Sequence, residues 1–204
     1  DLPLSRGLGD VYKRQSFSRL SDFEKRKFDE LMQSRFLKYK DDFLEAAKTF
    51  NIEWELLAAV AFQESQWNPK ARSATQVKGM MMLTLPTAAS VGVTNRLDPI
   101  QSIHGGAQYI ADLKSDTNYG TSSGDKIAFI LAAYNLGITN IRNAIDAIDK
   151  KPNEVTWLDL EEHLLNLKTS MDTENYSRGQ QTVDFVERVR DYYYLLLAQN
   201  CSDN

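Results

Sequence analysis

The chain has 204 residues, enough for one domain with a sizeable core plus an extension. Its 42% hydrophobic and 25% charged residues are ordinary for a soluble globular protein, and no apolar run approaches the roughly 20 residues of a membrane span. A net charge of −4 argues against nucleic acid as a partner, because that would call for a basic face. The one cysteine, Cys201, excludes an internal disulfide, and no cluster of Cys and His has metal-binding spacing, so no cofactor or metal is expected.

The first 15 residues differ in origin from the rest, in our interpretation. Residues 10–15, DVYKRQ, match a translation of a transposon-end sequence that is widely used in sequencing adaptors. We therefore expect residues 1–15 to be an adaptor-derived leader, with a genuine flexible leader as the alternative. The lack of an apolar signal segment then carries no information on location. We further predict a helical extension or linker over 16–50, the main domain over 51–199 and a tail over 200–204.

The extension carries the first helix signals. Ser21 and Glu24 have the spacing of a capping box, and apolar residues at helical spacing follow them. This pattern predicts one or two amphipathic helices over 22–49. They would either pack on the main domain or bridge to a further domain upstream.

The next predicted helix covers 52–65, with Asn51 as its N-cap. Trp54, Leu57, Ala61 and Glu64 fall on one stripe, which is apolar until its last member. Burial and the helix C-terminus both disfavour a carboxylate there, so the pKa of Glu64 should rise as a general acid requires. The alternative is a solvated glutamate at a fraying helix end.

Further helices follow in chain order. Gln66 to Pro69 should stop the second helix, and the polar run over 68–82 is predicted to be a loop or a short hairpin. Thr84 and Asp98, each followed by a proline, predict helix starts, and the paired Gly105 and Gly106 indicate close helix packing. The predicted helices end with those over 125–136, 139–149, 157–167 and 183–197, with a loop over 176–179 before the last. The fold class is therefore mostly α.

Three short motifs in this helical frame resemble a known family. They are Glu64–Ser65, Gly79–Met82 and Ala133–Asn135. In this order and at these separations they resemble the motifs of the family 1 lytic transglycosylases, lysozyme-like enzymes that cut the glycan strands of peptidoglycan. The resemblance covers about Asn51 to Tyr194. It implies a lysozyme-like, goose-type helical domain, here with an N-terminal helical extension.

The resemblance also implies a mechanism that uses one carboxyl group. Glu64 would protonate the glycosidic oxygen between MurNAc and GlcNAc while the N-acetyl group of the substrate assists. Glu64 would then act as a base on the muramoyl 6-hydroxyl, which attacks C1 and leaves a 1,6-anhydroMurNAc end. No second carboxylate stands out in the sequence, since Asp98 is interpreted as a helix cap and Asp112 as a helix-surface residue.

The other site residues follow from the same resemblance. Ser65 matches a serine that forms a hydrogen bond in the site, and the alternative is a helix-end serine that faces water. Tyr134 and Asn135 match the residues that line the site near the acid. Tyr176 matches a site-lining aromatic residue. Without the resemblance, a Tyr-Asn pair before a glycine would be an ordinary helix end.

The methionines Met80, Met81 and Met82 are where the chain departs from the wider family, which usually has Gly-Leu-Met-Gln. Met82 stands in the place of the glutamine and cannot donate an amide hydrogen bond to a sugar. The methionines could form an adaptable apolar wall of the site or could simply belong to the core. Trp67 and the tyrosines over 192–194 are expected to be packing residues rather than sugar platforms.

Two alternatives remain beside a lytic transglycosylase, namely a goose-type lysozyme that hydrolyses the same bond and a non-catalytic peptidoglycan-binding module. His104 and His163 are expected on the surface or in packing. The expected partner is the peptidoglycan glycan strand, the expected location is the periplasm, and outer-membrane association would come through an N-terminal part that is missing. We expect a monomer.

Overall fold

The computed structural model describes residues 20–74, 76–166 and 173–200, with the side chains of the last range from 178 onward. A short 3-10 helix, Phe36–Lys38, lies between the first two α-helices. The α-helices are α1 (Asp22–Ser34), α2 (Lys40–Phe50), α3 (Trp54–Ser65), α4 (Leu85–Ser90), α5 (Pro99–Asp116), α6 (Ser123–Leu136), α7 (Ile138–Asp146), α8 (Trp157–Asn166) and α9 (Thr173–Asn200). The prediction of a mostly α fold is confirmed.

Helix α3 lies at the centre of this arrangement. Every residue from Glu55 to Phe62 is buried, so the helix has no solvent face along most of its length. Helices α2, α5 and α9 pack around it. A helix that is apolar on all sides is stable only inside a protein core. The catalytic candidate at its C-terminal end is therefore held by a rigid element.

The two N-terminal helices pack into the same core. Ser21 and Glu24 form the predicted capping box at the start of α1. The ring of Phe28 is fully buried, with its centroid 4.8 Å from that of Phe62 and 5.6 Å from that of Tyr192. Of the two expectations for this region, packing on the main domain is the one observed. The division of the chain into an extension or linker over 16–50 and a main domain over 51–199 stays a prediction.

The predicted helix starts in the middle of the chain are confirmed. Thr84 and Asp98 each accept a hydrogen bond from a backbone N–H in the first turn, as N-caps do. The glycine pair also packs as predicted. A Cβ at Gly105 would lie 2.3 Å from Val93, and one at Gly106 would lie 2.6 Å from the Met81 side chain. Only glycine allows α5 to approach its neighbours this closely.

The prediction that Asn51 caps the start of α3 is wrong. Asn51 ends α2 instead, in a left-handed conformation with φ of 51°, and the N-cap of α3 is Glu53. Asparagine is favoured both at N-caps and in the left-handed residue that ends a helix. Only three residues separate the two helices here, and Asn51 is the one that ends the first helix.

The predicted loop over 176–179 is also wrong. These residues lie within α9, which begins at Thr173 and not near Val183. Gly179 suggested a break, but a Cβ at Gly179 would lie 2.5 Å from the carbonyl oxygen of Leu164. The glycine thus allows α9 to pack closely on α8, and its absence of a side chain serves a helix contact rather than a turn.

Candidate active site

The C-terminal end of α3 carries the candidate acid, Glu64. The helix stops at Ser65 because Gln66 and Trp67 adopt left-handed conformations, with φ of 53° and 55°. The stop thus comes before Pro69, which the sequence had suggested as its cause. A bulky residue rarely adopts this conformation. Trp67 is held there by full burial and by its indole Nε1, which donates to the carbonyl oxygen of Ala58 at 2.9 Å.

Glu64 has the environment of a proton donor. Its side chain is neither sealed in the core nor in open solvent, while protein atoms surround the carboxyl group on most sides. Removal of water from the carboxylate raises the pKa of Glu64 from 4.5 to about 8. A carboxyl group with that pKa keeps its proton at neutral pH and remains accessible to a substrate. The alternative of a fully solvated glutamate does not fit this environment.

Ser65 connects the end of α3 to the methionine loop. Its hydroxyl donates to the carbonyl oxygen of Met80 at 2.8 Å and lies 3.1 Å from that of Ala61. The N–H of Asn68 donates to the same hydroxyl at 3.1 Å. The Ser65 hydroxyl therefore has protein partners although the residue is partly exposed, and it fixes the loop relative to the helix turn that carries Glu64.

The methionine loop, residues 79–83, is a turn whose side chains go to different places. Met80 and Met81 are fully buried in the core, whereas Met82 is partly exposed and has a positive φ of 45°. Of the two interpretations of the methionines, core packing fits the first two. Of the three methionines, Met82 is the one that is partly exposed to solvent. Among the described residues of this region, Arg72 with Lys78 and Lys78 with Leu83 form isolated β-bridges, which fits the predicted loop or short hairpin.

Tyr134, on α6, is brought next to Glu64 and to the methionine loop. Its hydroxyl donates to the carbonyl oxygen of Met81 at 2.8 Å. Burial raises the pKa of the Tyr134 phenol well above its usual range, and the nearby Glu64 carboxylate raises it further. The Tyr109 ring lies 5.4 Å from the Tyr134 ring. The sequence motifs around Glu64, Met81 and Tyr134 thus meet at one place.

The two remaining predicted site residues are Asn135 and Tyr176. Asn135 is exposed, and its side-chain oxygen accepts a hydrogen bond from the Thr182 hydroxyl on α9 at 3.0 Å. This contact ties α6 to α9 close to Tyr134. Tyr176 lies in the first part of α9, and its side chain is outside the described residues. Its role as a site-lining aromatic stays a prediction.

Residues expected to be structural have structural environments. Trp67 is a core anchor, and Tyr192 and Tyr193 are almost fully buried along α9. His104 is partly buried, with its ring 6.2 Å from that of Phe50. His163 is partly buried on α8. Over residues 20–74, 76–166 and 173–200, no group of three acidic, His or Cys side chains is arranged to hold a metal ion.

No second carboxylate shares the environment of Glu64 within the described part of the chain. Asp98 is a helix cap, Asp112 is exposed on α5, and burial alone accounts for the raised pKa of Glu64. A glycosidase that uses two carboxylates would hold them about 5–10 Å apart across the bond to be cut. Among the described residues, Glu64 thus has no carboxylate partner that raises its pKa by repulsion.

A cavity of about 440 Å³ lies elsewhere, between α1, the start of α3 and the end of α9. Trp54, at the start of α3, lines this cavity together with Lys40 and Asn200. Ten residues of helix, or about 15 Å, separate Trp54 from Glu64. We therefore do not assign this cavity to the chemistry of Glu64, whose perturbed pKa and neighbours mark the site more directly than cavity volume does.

Two residues beside this site were not identified from the sequence. Ser102 is fully buried on α5, and its hydroxyl accepts a hydrogen bond from the N–H of Met81 at 3.1 Å. Tyr109, two turns further along the same face of α5, packs on Tyr134. A signal was present, because Ser102, Gly106 and Tyr109 recur at helical spacing on one side of α5.

In the parts of the chain that the structure describes, none of the helices combines the length and the apolar character that crossing a membrane requires.

Comparisons with known proteins agree with these observations. The family model described as Transglycosylase SLT domain matches residues 41–156. A relative from Stutzerimonas stutzeri, named membrane-bound lytic murein transglycosylase F, is 42% identical over 176 residues, which is 83% of this chain and 36% of the relative. A protein of the same name from Photobacterium profundum is 41% identical over 171 residues, or 81% of this chain and 32% of the relative. The chain thus spans about a third of the length of these relatives.

Solved structures support the fold. The lytic transglycosylase Slt from Pseudomonas aeruginosa, in an inactive mutant, superposes with a TM-score of 0.60 at 20% identity, over 79% of this chain and 24% of that one. The 70 kDa soluble lytic transglycosylase from Escherichia coli superposes with a TM-score of 0.56 at 22% identity, over 86% of this chain and 27% of that one. At these identities the likeness establishes the shared helical architecture.

Proposed function

We propose that this chain, which belongs to the transglycosylase SLT domain family, cleaves the β-1,4 bond between MurNAc and GlcNAc in peptidoglycan and leaves 1,6-anhydroMurNAc ends. One observation carries the proposal. Glu64 is a partly accessible carboxyl group at the end of a buried helix, and removal of water raises its pKa to about 8. Such a group can give a proton to a glycosidic oxygen at neutral pH.

The proposed reaction uses Glu64 twice. The carboxyl group first donates its proton to the glycosidic oxygen, and the C1–O bond breaks while the N-acetyl oxygen of the substrate stabilises C1. The Glu64 carboxylate then accepts the proton of the muramoyl 6-hydroxyl as that oxygen bonds to C1. The N-acetyl group is released unchanged and Glu64 regains its proton. The bond changes balance without water, so the enzyme is formally a carbon–oxygen lyase.

The neighbours of Glu64 fit this reaction in different ways. Ser65 and Tyr134 hold backbone groups of Met80 and Met81, so we propose that they shape the site rather than exchange protons. Met82, with its partly exposed side chain, is the methionine that we expect to touch the sugar. Asn135 and Tyr176 remain proposed lining residues.

Goose-type lysozyme activity is the nearest alternative, because it would cleave the same bond with water. Purified sacculi digested by the protein separate the two activities by mass. Anhydro ends are lighter than reducing ends by one water molecule, and our proposal predicts anhydro ends. Reducing ends alone would mean a hydrolase. The lack of a second carboxylate beside Glu64 in the described part of the chain favours the anhydro product.

The Glu64→Gln variant tests the catalytic role and the non-catalytic alternative together. We expect a loss of about 10³-fold or more in product release, in the upper part of the range for removal of a general acid. Glu162→Gln, at an exposed position on α8, is the matched control and should keep full activity. If the wild type and Glu64→Gln both bind sacculi and neither releases products, the chain is a binding module.

We also propose where the domain works and how it is organised. The names of the relatives include the word membrane-bound, which supports a periplasmic domain of the cell envelope. We propose outer-membrane association through a part of the protein outside this sequence, and a monomeric catalytic domain over 51–199. Fractionation of the host cells with an antibody to the domain tests the location, and recovery in the cytosol would contradict it.

A further inference from the structure

Two serine hydroxyls bind the central peptide group of the turn from Gly79 to Met82. The N–H of Met82 donates to the carbonyl oxygen of Gly79 at 3.2 Å, so Met80 and Met81 are the two central residues of the turn. The peptide group between them is bound at both ends. Its carbonyl oxygen accepts the Ser65 hydroxyl at 2.8 Å, and its N–H donates to the Ser102 hydroxyl at 3.1 Å.

We propose that Ser102 is a positioning residue of the active site, whose buried hydroxyl fixes the Met80–Met81 peptide group and, through Met81, the place of Tyr134 beside Glu64. The catalytic part of this inference rests on the proposed function, whereas the effect of Ser102 on the surroundings of Glu64 can be tested without turnover. Ser102 itself touches neither substrate nor proton in this proposal. Its effect passes through the backbone of Met81.

The physical argument starts from how β-turns change shape. The two commonest turn types differ by a rotation of the central peptide group through about 180°. The rotated form requires a positive φ at the second central residue, which is Met81, and Met81 is not among the residues with positive φ. The hydroxyls of Ser65 and Ser102 hold the observed orientation from opposite sides, one on the carbonyl oxygen and the other on the N–H.

Without the Ser102 hydroxyl, the buried N–H of Met81 would lose its partner. A buried donor without an acceptor is costly, so the turn would shift or rotate to find one. The carbonyl oxygen of Met81 accepts the Tyr134 hydroxyl at 2.8 Å and would move with it. Tyr134 would then lose the contact that sets its position beside Glu64.

The packing of α5 supports the same role. Gly106, one turn after Ser102, lies so close to Met81 that a Cβ would come within 2.6 Å of that side chain. Tyr109 continues the same face and packs on Tyr134. One face of α5 thus contacts first the turn and then the tyrosine. Of the titratable groups on these elements, the Tyr134 phenol lies near Glu64 and the Tyr109 phenol packs on Tyr134. Burial raises the pKa of both phenols, so neither introduces a charge at working pH.

Two variants and a control test the proposal. Ser102→Ala removes the acceptor, and Ser102→Cys keeps nearly the same volume but offers only a weak acceptor. We expect kcat to fall about tenfold in Ser102→Ala and less in Ser102→Cys, with KM within about twofold, since one ordinary hydrogen bond is lost. Thr117→Ala is the control, because Thr117 lies at the other end of α5 and its hydroxyl donates to the carbonyl oxygen of Leu113. It should change neither constant.

A second measurement is independent of turnover. Carbon-13 NMR of the Glu64 carboxyl group gives its pKa in the folded protein, and Ser102→Ala should lower that pKa toward the ordinary value because water enters beside Tyr134. If Ser102→Ala and Ser102→Cys keep the wild-type kcat and the wild-type titration, Ser102 is merely structural, whatever happens to thermal stability. If the wild type forms no anhydro products, the proposed function fails, and the NMR titration still decides the role of Ser102.

Discussion

Substitution of Glu64 by glutamine should stabilise the protein by an amount that grows with pH. In the folded protein the pKa of Glu64 is about 8, against an ordinary value of 4.5. Below pH 4.5 both the folded and the unfolded state carry the proton, so ionisation contributes nothing to the difference. Between the two pKa values only the unfolded state ionises, which favours unfolding of the wild type. Above pH 8 both states are ionised and the penalty is constant.

The size of the effect follows from the two pKa values. The penalty grows by about 1.4 kcal/mol for each pH unit between them, which gives at most about 5 kcal/mol above pH 8. Because the side chain is partly exposed, water can relax around the charge, and we expect about 2–4 kcal/mol. Glutamine has the same shape and does not titrate, so it escapes the penalty entirely.

Urea unfolding of both proteins at several pH values from 5 to 9 measures this effect. The difference in the free energy of unfolding should rise in favour of Glu64→Gln across that range, while Glu162→Gln follows the wild type throughout. Other carboxyl groups with a raised pKa, such as Asp42 and Glu55, are present in both proteins and cancel. Parallel stability curves for the wild type and Glu64→Gln would refute the assignment of Glu64 as a desolvated acid.

Three further outcomes follow from the same structure. Product release should fall as pH rises through about 8, because Glu64 then loses the proton that the first step needs, and a pH–rate profile with no loss up to pH 10 would contradict this. Gly79→Ala should cost about 3 kcal/mol of stability in thermal unfolding, since the φ of Gly79 is +87° and a Cβ would collide with a backbone carbonyl oxygen. Gly124→Ala is the control, because a Cβ there meets nothing closer than 3.7 Å, and it should be neutral or slightly stabilising. Trp67→Ala should cost about 3–5 kcal/mol by urea unfolding followed by circular dichroism, and a cost below about 1 kcal/mol would contradict its role as a core anchor.

The sequence predicted well those features that are determined locally. The capping box at Ser21 and the cap at Asp98 depend on neighbours within a few residues, and both are observed. The stripe that ends in Glu64 predicted one buried face, whereas α3 is buried on all sides from Glu55 to Phe62. Local signals failed where one residue type serves two purposes. Asn51 suits the start and the end of a helix, and Gly179 suits a turn and a close helix contact, so their surroundings in the fold decided between the two uses.

Features that depend on distant contacts could not be predicted from spacing. Ser102 lies among apolar residues on α5, where a single serine usually carries no information, and its partner Met81 is 21 residues away. The same holds for Tyr134, whose hydroxyl reaches the methionine loop across 53 residues. The resemblance to known motifs identified Tyr134 and the loop as site residues. It did not reveal that hydrogen bonds to the loop backbone connect them.

Burial by itself raises the pKa of Glu64 to the range that the proposed mechanism needs, without a second carboxylate. Two acidic groups in one site usually raise the pKa of one by repulsion, and that device also leaves a negative charge beside the reacting sugar. Here the apolar length of α3 removes water from the carboxyl group, and Tyr134 adds a neutral neighbour. In the proposed mechanism, the N-acetyl group of the substrate stabilises the C1 centre. In that proposed mechanism a single acid on a buried helix suits an internal 6-hydroxyl nucleophile, because the protein has only to supply the proton, while the substrate supplies both the stabilising group and the nucleophile.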